Sequence, residues 1–407
     1  MKKIITILLA LVFSICTFSQ KSTKDYIDIE STTKIEGLMH NLEKILNSTH
    51  SFLLSSYYND TLFFLRADFT TPETIRMYAF AVKTNTYSHQ DFDATKLINN
   101  FDGIAYNIDK FAINDKYLVI PGHKGVINGD FLCVYKRIGK EFIYDFEIPL
   151  GNNKFSEGIE FLPNGKLLGL KNYVFYGEKP EESSSLTILN LETKKVEKTI
   201  SLEFLLPLYA FRTDYNILSV NNNSILFSQR GDYKISEYDF DLNLIGTIEN
   251  KEIKWDRMPQ SASDSVFNNT KQAVERIPYF SSNIDKYSSV HNIYSSNDKL
   301  FVFYSKKGNY EKIYYDIWKK ENGKWTLLKK NISDNPKSIR KKHKQTITMI
   351  NYGRDIYFVG DKFLRIDIIL PDLGTYPKLI YMKKVQNYIL NNNIPYGVEV
   401  INFKFIE

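Results

Sequence analysis

Cysteine is almost absent from this chain of 407 residues, which contains only Cys16 and Cys133. Cys16 lies in an N-terminal segment that we expect to be removed, so the mature chain would keep Cys133 alone. A single cysteine excludes an intramolecular disulfide. Cys133 lies in the alternating run DFLCVYK (130–136), which favours a small packed apolar residue over a nucleophile. Stability must therefore come from burial and strand pairing.

The N-terminal segment has the pattern of a secretory signal. Lys2 and Lys3 precede an apolar run over 4–15, and small residues follow at the spacing of a signal-peptidase site. This predicts a signal peptide over 1–19 and an exported chain in the periplasm, at the cell surface or outside the cell. The apolar run is shorter than the roughly 20 residues of a membrane span, so we expect no transmembrane span after cleavage. Lipidation of Cys16 is the alternative, which the bulky residue before it disfavours.

Histidine is also scarce, and its six residues share no spacing typical of metal ligands. The sequence contains no G-x-S-x-G elbow, no phosphate-binding G-x-x-x-x-G-K-[ST] loop and no G-x-G-x-x-G fingerprint. These absences predict no catalytic residue, no metal and no cofactor. The formal net charge of +6 is too small to favour or exclude an anionic partner, and nucleic acid is not an expected partner of an exported chain.

Aromatic residues are plentiful by contrast, with 28 Tyr and 28 Phe against 3 Trp, and this bias favours strands. The stretch SILFSQRGDYKISEYDFDLNLIGTIEN (224–250) contains three alternating apolar runs separated by polar turns. We interpret them as the outer three strands of a four-stranded unit, with 217–220 as its innermost strand. Alternation of this kind excludes helical repeats.

The same pattern recurs six times along the chain, at steps of roughly 50 to 60 residues with one longer step, the spacing of propeller blades. The first turn of each unit lies at 59–60, 114–115, 164–165, 222–223, 297–298 and 353–355. A second turn follows in each at 82–87, 137–142, 191–196, 240–245, 320–325 and 371–377. Asn, Asp and Gly at these points supply the conformations that tight hairpins need. The repeat predicts an all-β fold, a six-bladed β-propeller of four-stranded antiparallel blades; a pair of β-sandwiches is the alternative.

The predicted organisation follows the repeat. An N-terminal segment (20–50) contains apolar residues at helical spacing over 31–47, so it is either a short helix or an extended segment of the first blade. An insertion (251–287) separates the fourth and fifth blades, and a strand over 397–406 is expected to close the ring in the first or last blade. The propeller spans 51–407, and its blades are predicted at 51–95, 105–150, 156–203, 212–250, 288–332 and 345–386.

Two of these units resemble a known group of proteins. The segments GIEFLPNGKLLGL (158–170) with SSLTILNLETKKVEKTISL (184–202), and KISEYDFDLNLIGTIE (234–249), are similar to the secreted six-bladed propellers of the TolB-like and NHL-like kind. The resemblance covers about residues 50–386. It implies the architecture and says little about chemistry, because propellers include binding modules, lactonases, lyases and scaffolds.

Lactonase-type propellers of this group hold a divalent metal at the mouth of the central channel with acidic and amide side chains. Residues at comparable positions here, before or at the start of innermost strands, are Asp109, Glu157, Asp214 and Asn292, with His291 beside the last. No spacing motif joins them, and each is also an ordinary loop or strand residue. We therefore predict a ligand-binding channel mouth without assigning a metal.

Two functions are compatible with the sequence. The first is an exported, monomeric binding module that recognises a protein, peptide or glycan at the cell envelope, with Trp255, Arg257 and Tyr279 of the insertion contacting the partner. The second is a channel-mouth hydrolase or lyase, with or without a metal, that uses residues such as Glu157, Asp214 and His291. The absence of a catalytic motif favours the first.

Overall fold

The computed structural model describes residues 27–35, 52–67, 74–84, 86–93, 110–123, 130–151, 158–172, 184–202, 217–229, 231–257, 259, 261, 286–296, 298–307, 313–334, 339–340, 345–346, 356–359, 362–369 and 397–405. All of these residues that lie in regular elements belong to strands, except Ser261, which is helical. The predicted signal peptide, with Cys16, lies outside them.

The strands follow one another along the chain with short hairpin turns between many of them. They are β1 (Ile27–Ile35), β2 (Phe52–Tyr58), β3 (Thr61–Ala67), β4 (Thr74–Ala81), β5 (Thr86–Asp93), β6 (Ala112–Ile113), β7 (Tyr117–His123), β8 (Asp130–Ile138), β9 (Glu141–Gly151), β10 (Gly158–Phe161), β11 (Leu167–Asn172), β12 (Ser184–Asn190), β13 (Lys195–Ser201), β14 (Leu218–Val220), β15 (Ile225–Ser228), β16 (Lys234–Tyr238), β17 (Leu244–Glu249), β18 (Ser289–Ser295), β19 (Lys299–Ser305), β20 (Ile313–Glu321), β21 (Lys324–Asp334), β22 (Ile339–Arg340), β23 (Gln345–Thr346), β24 (Ile356–Val359), β25 (Lys362–Ile369) and β26 (Gly397–Phe405).

Among the described residues, five blades are each built from four consecutive strands, paired in chain order and antiparallel throughout: β2–β5, β6–β9, β10–β13, β14–β17 and β18–β21. We number them first to fifth. The four-stranded antiparallel blade is thus confirmed. The stretch 224–250 forms the outer three strands of the fourth blade, with β14 innermost, as its alternation predicts.

The blade count differs from the prediction, because five blades rather than six consist of consecutive strands. A further four-stranded sheet, the terminal sheet, has the order β24, β25, β26, β1 and so combines both ends of the chain. Within it β1 pairs antiparallel with β26 from Ile27 opposite Phe405 to Ile35 opposite Val398. Without β1, β26 would present an open edge of unpaired backbone groups.

The N-terminal segment is correspondingly a strand and not a helix over 27–35. The apolar spacing over 31–47 suggested a helix, but Ile27, Ile29, Thr32, Thr33 and Ile35 are β-branched and suit a pleated strand. The strand belongs to the terminal sheet and not, as the extended alternative proposed, to the first blade. Over 31–35, pairing with a distant segment outweighs local helical periodicity, and the rest of the predicted helical stretch, 36–47, lies outside the described residues.

The sheets pack face to face around their innermost strands. β2 contacts β6, β6 contacts β10, β14 contacts β18, and β18 contacts β24. A separate apolar cluster fills each junction between consecutive blades, from the first and second blades to the fourth and fifth. The core is therefore divided into layers between blades.

Strand β8 illustrates why the sequence of a blade has continuous apolar runs. Phe131, Cys133 and Tyr135 pack toward the first blade, whereas Leu132 and Val134 pack toward the third. Both faces of the sheet are buried, so alternating side chains enter two different layers. Each fully buried side chain of this size contributes roughly 1.5–3 kcal/mol. Cys133 is fully buried in this packing and forms no disulfide.

The hairpin turns depend on the residues that predicted them. Asn59 and Asp60, and again Asn322 and Gly323, have positive φ angles between 46° and 77°, which L side chains rarely adopt. Leu242 also has a positive φ of 57°, but its side chain is buried between the third and fourth blades, which offsets the backbone cost. In other turns a side-chain oxygen accepts backbone N–H groups two to four residues ahead: Asn114, Asn164, Asn190, Asn221 and Asp239.

Candidate functional site at the loop face

The antiparallel order of the strands separates two kinds of connection. Within each blade the links from first to second and from third to fourth strand leave one face, which we call the hairpin face; examples are 59–60, 139–140 and 322–323. The links from second to third strand, and from blade to blade, leave the opposite, loop face. Longer connections such as 94–111, 173–183 and 250–288 all join strand ends at the loop face. Functional residues concentrate on loops held by a rigid scaffold.

Three of the predicted channel-mouth residues come just before strands that begin at the loop face, and the other two lie on an innermost strand. Asp109, Glu157 and Asp214 precede β6, β10 and β14, which begin at the loop face, but the three lie outside the described residues. His291 and Asn292 lie on β18, the innermost strand of the fifth blade, at a register shift relative to β19. They are 1% and 5% exposed, and Asn292 Nδ2 donates to the hydroxyl of Tyr294 at 2.7 Å. Ligand contact by these residues stays a prediction.

The predicted partner-binding residues divide in the same way. Trp255 is half-buried and its indole N–H donates to the carbonyl of Gly231 at 2.9 Å. The Arg257 side chain is 68% exposed and pairs with Asp232 at 2.7 Å. Tyr279 lies outside the described residues. Of the three, Arg257 is the one that the structure places at the surface.

The long connection between the fourth and fifth blades has a closed base. The backbone N–H of Ser288 donates to the carbonyl of Asp256 at 2.9 Å, and the backbone N–H of Asp256 donates to the Ser288 hydroxyl at 3.2 Å. These bonds hold together the two ends of residues 258–287, which we call the excursion. Trp255 and Arg257, just before it, are fastened to the link between β15 and β16. The excursion therefore starts and ends at one fixed point of the loop face.

Three aromatic rings pack next to this base. The rings of Tyr233, Trp255 and Tyr304 contact one another, with centroid separations of 5.5 to 6.1 Å. All three tryptophans of the sequence donate their indole N–H to the fourth blade: Trp255 to Gly231 O, Trp318 to the Tyr233 hydroxyl at 3.0 Å, and Trp325 to Glu237 Oε2 at 3.0 Å. The fourth and fifth blades are thus joined by polar contacts as well as by their apolar layer.

A buried acid lies at the centre of that junction. Asp316 of β20 is 0% exposed and accepts four hydrogen bonds. Its donors are the hydroxyls of Tyr233 (2.8 Å) and Tyr304 (3.1 Å), Asn250 Nδ2 (2.7 Å) and the backbone N–H of Asn331 (2.8 Å). Two of the donors belong to the fourth blade or its end, so the carboxyl group joins the blades.

Burial shifts the pKa values of the acid and of the two tyrosines in this cluster. Loss of hydration raises the pKa of Asp316, although the Asn331 N–H and the other donors oppose the shift. Burial, and next the charge of Asp316, raise the pKa of Tyr233 and of Tyr304 well above the ordinary tyrosine value. Both hydroxyls stay protonated and act as donors at neutral pH. The arrangement fixes the blades beneath the excursion and gives no solvent-exposed nucleophile.

Sequence reasoning missed Asp316 and Tyr233. The signal was present: Asp316 is an acid inside the apolar run IYYDIW (313–318), and an acid in a strand with two buried faces requires donors. The donors themselves come from distant segments, so their identity was not readable.

Metal-ligand groups and membrane-spanning helices are both absent from the described residues. They include no group of three or more His, Cys, Asp or Glu side chains placed to hold a metal ion. None of their elements is a helix long and apolar enough to cross a membrane.

Comparisons with known proteins bear on the fold. No protein-family model matches the sequence, and curated proteins give no significant match. Among solved structures, a member of the DUF4221 family from Bacteroides vulgatus is similar, with TM-score 0.51, 8% identity, and coverage of 94% of this chain and 99% of that one. A streptogramin B lyase (TM-score 0.37, 10% identity, 94% and 99%) and a luciferin-regenerating enzyme (0.39, 11%, 92% and 95%) also align. At this identity the likeness shows fold alone.

The class of the protein follows from the sheets and from the likeness to the DUF4221 structure. It is an all-β propeller of four-stranded antiparallel blades. A propeller fold is compatible with catalysis and with binding.

Proposed function

We propose that the protein is an exported propeller that binds a protein, peptide or glycan partner at the cell envelope through its loop face, with the excursion as the principal contact. The observation that carries this proposal is the closed base of the excursion, formed by Asp256 and Ser288. A long connection whose ends are tied together on a rigid support costs less entropy to order on binding. Connections of this length within a compact domain are usually functional loops or linkers.

We further propose that the terminal sheet completes a ring of six blades. Its innermost strand β24 contacts β18, as expected for the neighbour of the fifth blade. Use of both chain ends in one sheet is the arrangement that removes open edges from a ring. The resemblance to secreted six-bladed propellers supports the same count, and the apolar N-terminal run supports export.

Site-specific photocrosslinking tests the binding role. A photoreactive residue is placed at the exposed Ser261 in the excursion, and as matched control at the exposed Lys140 of a hairpin-face turn. Crosslinked adducts in producing cells at position 261, and none at 140, are the expected outcome. Equal adduct yields at both positions, or none at 261, would contradict a loop-face partner.

A further inference from the structure

A groove on the hairpin face, opposite the excursion, separates the first and second blades. It has a volume of about 310 Å³. Its walls come from the turns of both blades, and its floor includes the apolar side chains of Phe63 and Ala79. Tyr58 of the first blade donates from its hydroxyl to Asp115 of the second at 2.9 Å along one side.

The groove exists because small residues stand where other junctions have long ones. Ala79 pairs with Ser88 in the first blade, two positions before the last pair of the hairpin. The equivalent pair of the third blade is Ile188 and Lys198. Lys198 Nζ crosses to the fourth blade and donates to Asn243 Oδ1 at 3.1 Å. Ser88 is too short for such a contact, so the first junction stays open.

The remaining described junctions between consecutive blades are also closed by long side chains. Lys194 of the third blade lies 3.9 Å from the ring centroid of Phe146 in the second. Lys320 and Trp325 of the fifth blade both reach Glu237 of the fourth. The open junction is therefore a local feature of the first and second blades and not a general property of the repeat.

Arg137 supplies an available cation at the groove. Its guanidinium stacks over the ring of Phe142, 5.7 Å from the centroid, and makes no hydrogen bond or ion pair with any residue that the structure describes. Arg137 lines the groove together with Tyr58 and Asp115. A stacked guanidinium with free donors is suited to a planar carboxylate, which it binds through two parallel hydrogen bonds.

Asp115 supplies an anion near the same groove. Its Oδ2 accepts from Tyr58, whereas its Oδ1 accepts no hydrogen bond from the described residues. An acceptor oxygen of this kind suits an ammonium group. The groove thus has a cation, an anion and an apolar floor, without an ion pair between Asp115 and Arg137 themselves.

We propose that this groove binds a small zwitterion with an apolar body, of the amino-acid and dipeptide class, whose carboxylate contacts Arg137 and whose ammonium contacts Asp115. The apolar body lies on Phe63 and Ala79. The volume is within the range of small-molecule sites. The site is independent of the loop face, and its ligand need not be the partner proposed above.

Calorimetric titration of the full-length mature chain tests the site with four probes. L-alanine and L-alanyl-L-alanine keep both charges, N-acetyl-L-alanine lacks the ammonium, and L-alaninamide lacks the carboxylate. At least one zwitterion is expected to bind, and each single-charge probe at least about tenfold more weakly, the effect of one lost charged hydrogen bond. The two zwitterions distinguish a free amino acid from a dipeptide. Absence of binding by both overturns the proposal.

Variants tie binding to the groove. Arg137→Gln and Asp115→Asn are each expected to weaken binding of the zwitterion at least about tenfold. Ser88→Lys is expected to abolish binding, because the lysine would close the groove as Lys198 closes the junction between the third and fourth blades. Lys136→Gln changes the exposed neighbour of Arg137 outside the groove and serves as matched control. Unchanged binding by Ser88→Lys or Arg137→Gln, or equal loss in Lys136→Gln, overturns the proposal. Circular dichroism confirms that each variant is folded, and crosslinking at position 261 is scored separately.

Discussion

The hydroxyl of Tyr233 in the fourth blade donates a 2.8 Å hydrogen bond to the carboxyl group of Asp316 in the fifth, and both groups are buried. On the other side of Asp316, the Tyr304 hydroxyl lies 3.1 Å from Asp316 Oδ1 and 2.9 Å from Asn331 Oδ1, although it has one hydrogen. Asn331 Oδ1 also accepts from Lys306 Nζ, so it is an acceptor. The single hydroxyl hydrogen of Tyr304 is therefore shared between two acceptors, Asp316 and Asn331. Asp316, which is buried, has a raised pKa because of its loss of hydration.

Removal of the Tyr233 hydroxyl is expected to destabilise the protein. Tyr233→Phe keeps the ring contacts but leaves Asp316 with one donor fewer and the Trp318 indole N–H without its acceptor. The expected loss in the free energy of unfolding is about 1–3 kcal/mol, measured by urea denaturation. Tyr117→Phe is the control, because the Tyr117 hydroxyl makes no hydrogen bond with the described residues, and it should change stability by less than about 0.5 kcal/mol. Equal losses would refute a specific role for the pair.

Asp316 also predicts a pH dependence with a definite sign. Its folded-state pKa is raised above the ordinary 3.8, so folding favours the protonated form. This contribution to stability is fully present below pH 3.8 and is lost as the pH rises through the higher folded-state pKa. The stability of the wild type minus that of Asp316→Asn should therefore decline from about pH 4 upward and then level off. A difference that rises with pH would contradict a raised pKa.

Asp239 is the matched control, since its shift has the opposite sign. The backbone N–H of Asn243 is the main cause that lowers the pKa of this turn carboxylate. Its contribution is present above pH 3.8 and is lost as the pH falls through the lower folded-state value. The stability of the wild type minus that of Asp239→Asn should increase from acid to neutral pH, opposite to the Asp316 series.

Local signals in the sequence were sufficient to predict the turns and strands of the blades. The positions of Asn, Asp and Gly predicted turns because these residues either adopt positive φ, as Asn59 and Gly323 do, or accept backbone N–H groups from the side chain, as Asn221 does. The alternation between turns predicted strands. Leu242 shows the limit, because its positive φ depends on burial against another blade.

Long-range pairing and junction chemistry were not predictable in the same way. The pairing of β1 with β26 joins segments at opposite ends of the chain, whereas local spacing indicated a helix at residues 31–35. The donors around Asp316, and the groove left open by Ser88, depend on which side chains two blades bring together. The channel-mouth residues Asp109, Glu157 and Asp214 were chosen by chain position alone and stay predictions.

Removal of the end of the last strand, β26, is expected to lower the thermal stability of the protein more than removal of the first strand, β1. Deletion of residues 402–407 removes the partners of both β25 and β1 over their paired ends, for example Leu364 opposite Asn402 and Ile27 opposite Phe405. Deletion of 27–35 removes pairing on one side of β26 only. We expect thermal unfolding midpoints in the order wild type, N-terminal deletion, C-terminal deletion, from highest to lowest. A C-terminal deletion with an unchanged midpoint would refute closure by β26.

The ion pair between Lys320 and Glu237 tests the junction between the fourth and fifth blades on its hairpin-face side. Lys320 Nζ lies 2.6 Å from Glu237 Oε1, and the side chains are 17% and 4% exposed. Lys320→Met should cost about 3 kcal/mol in the free energy of unfolding, because it leaves a buried carboxylate with only Ser224 and Trp325 as donors.

The double variant Lys320→Met with Glu237→Met distinguishes a buried charge from lost packing. It should recover part of the loss, since no unpaired carboxylate remains between the blades. The exposed pair of Lys319 with Glu321, at 2.9 Å, is the control, and Lys319→Met should change stability by less than about 1 kcal/mol. If Lys320→Met and Lys319→Met cost the same, the buried pair does not hold the fourth and fifth blades together, and the junction depends on its apolar layer and the Asp316 cluster.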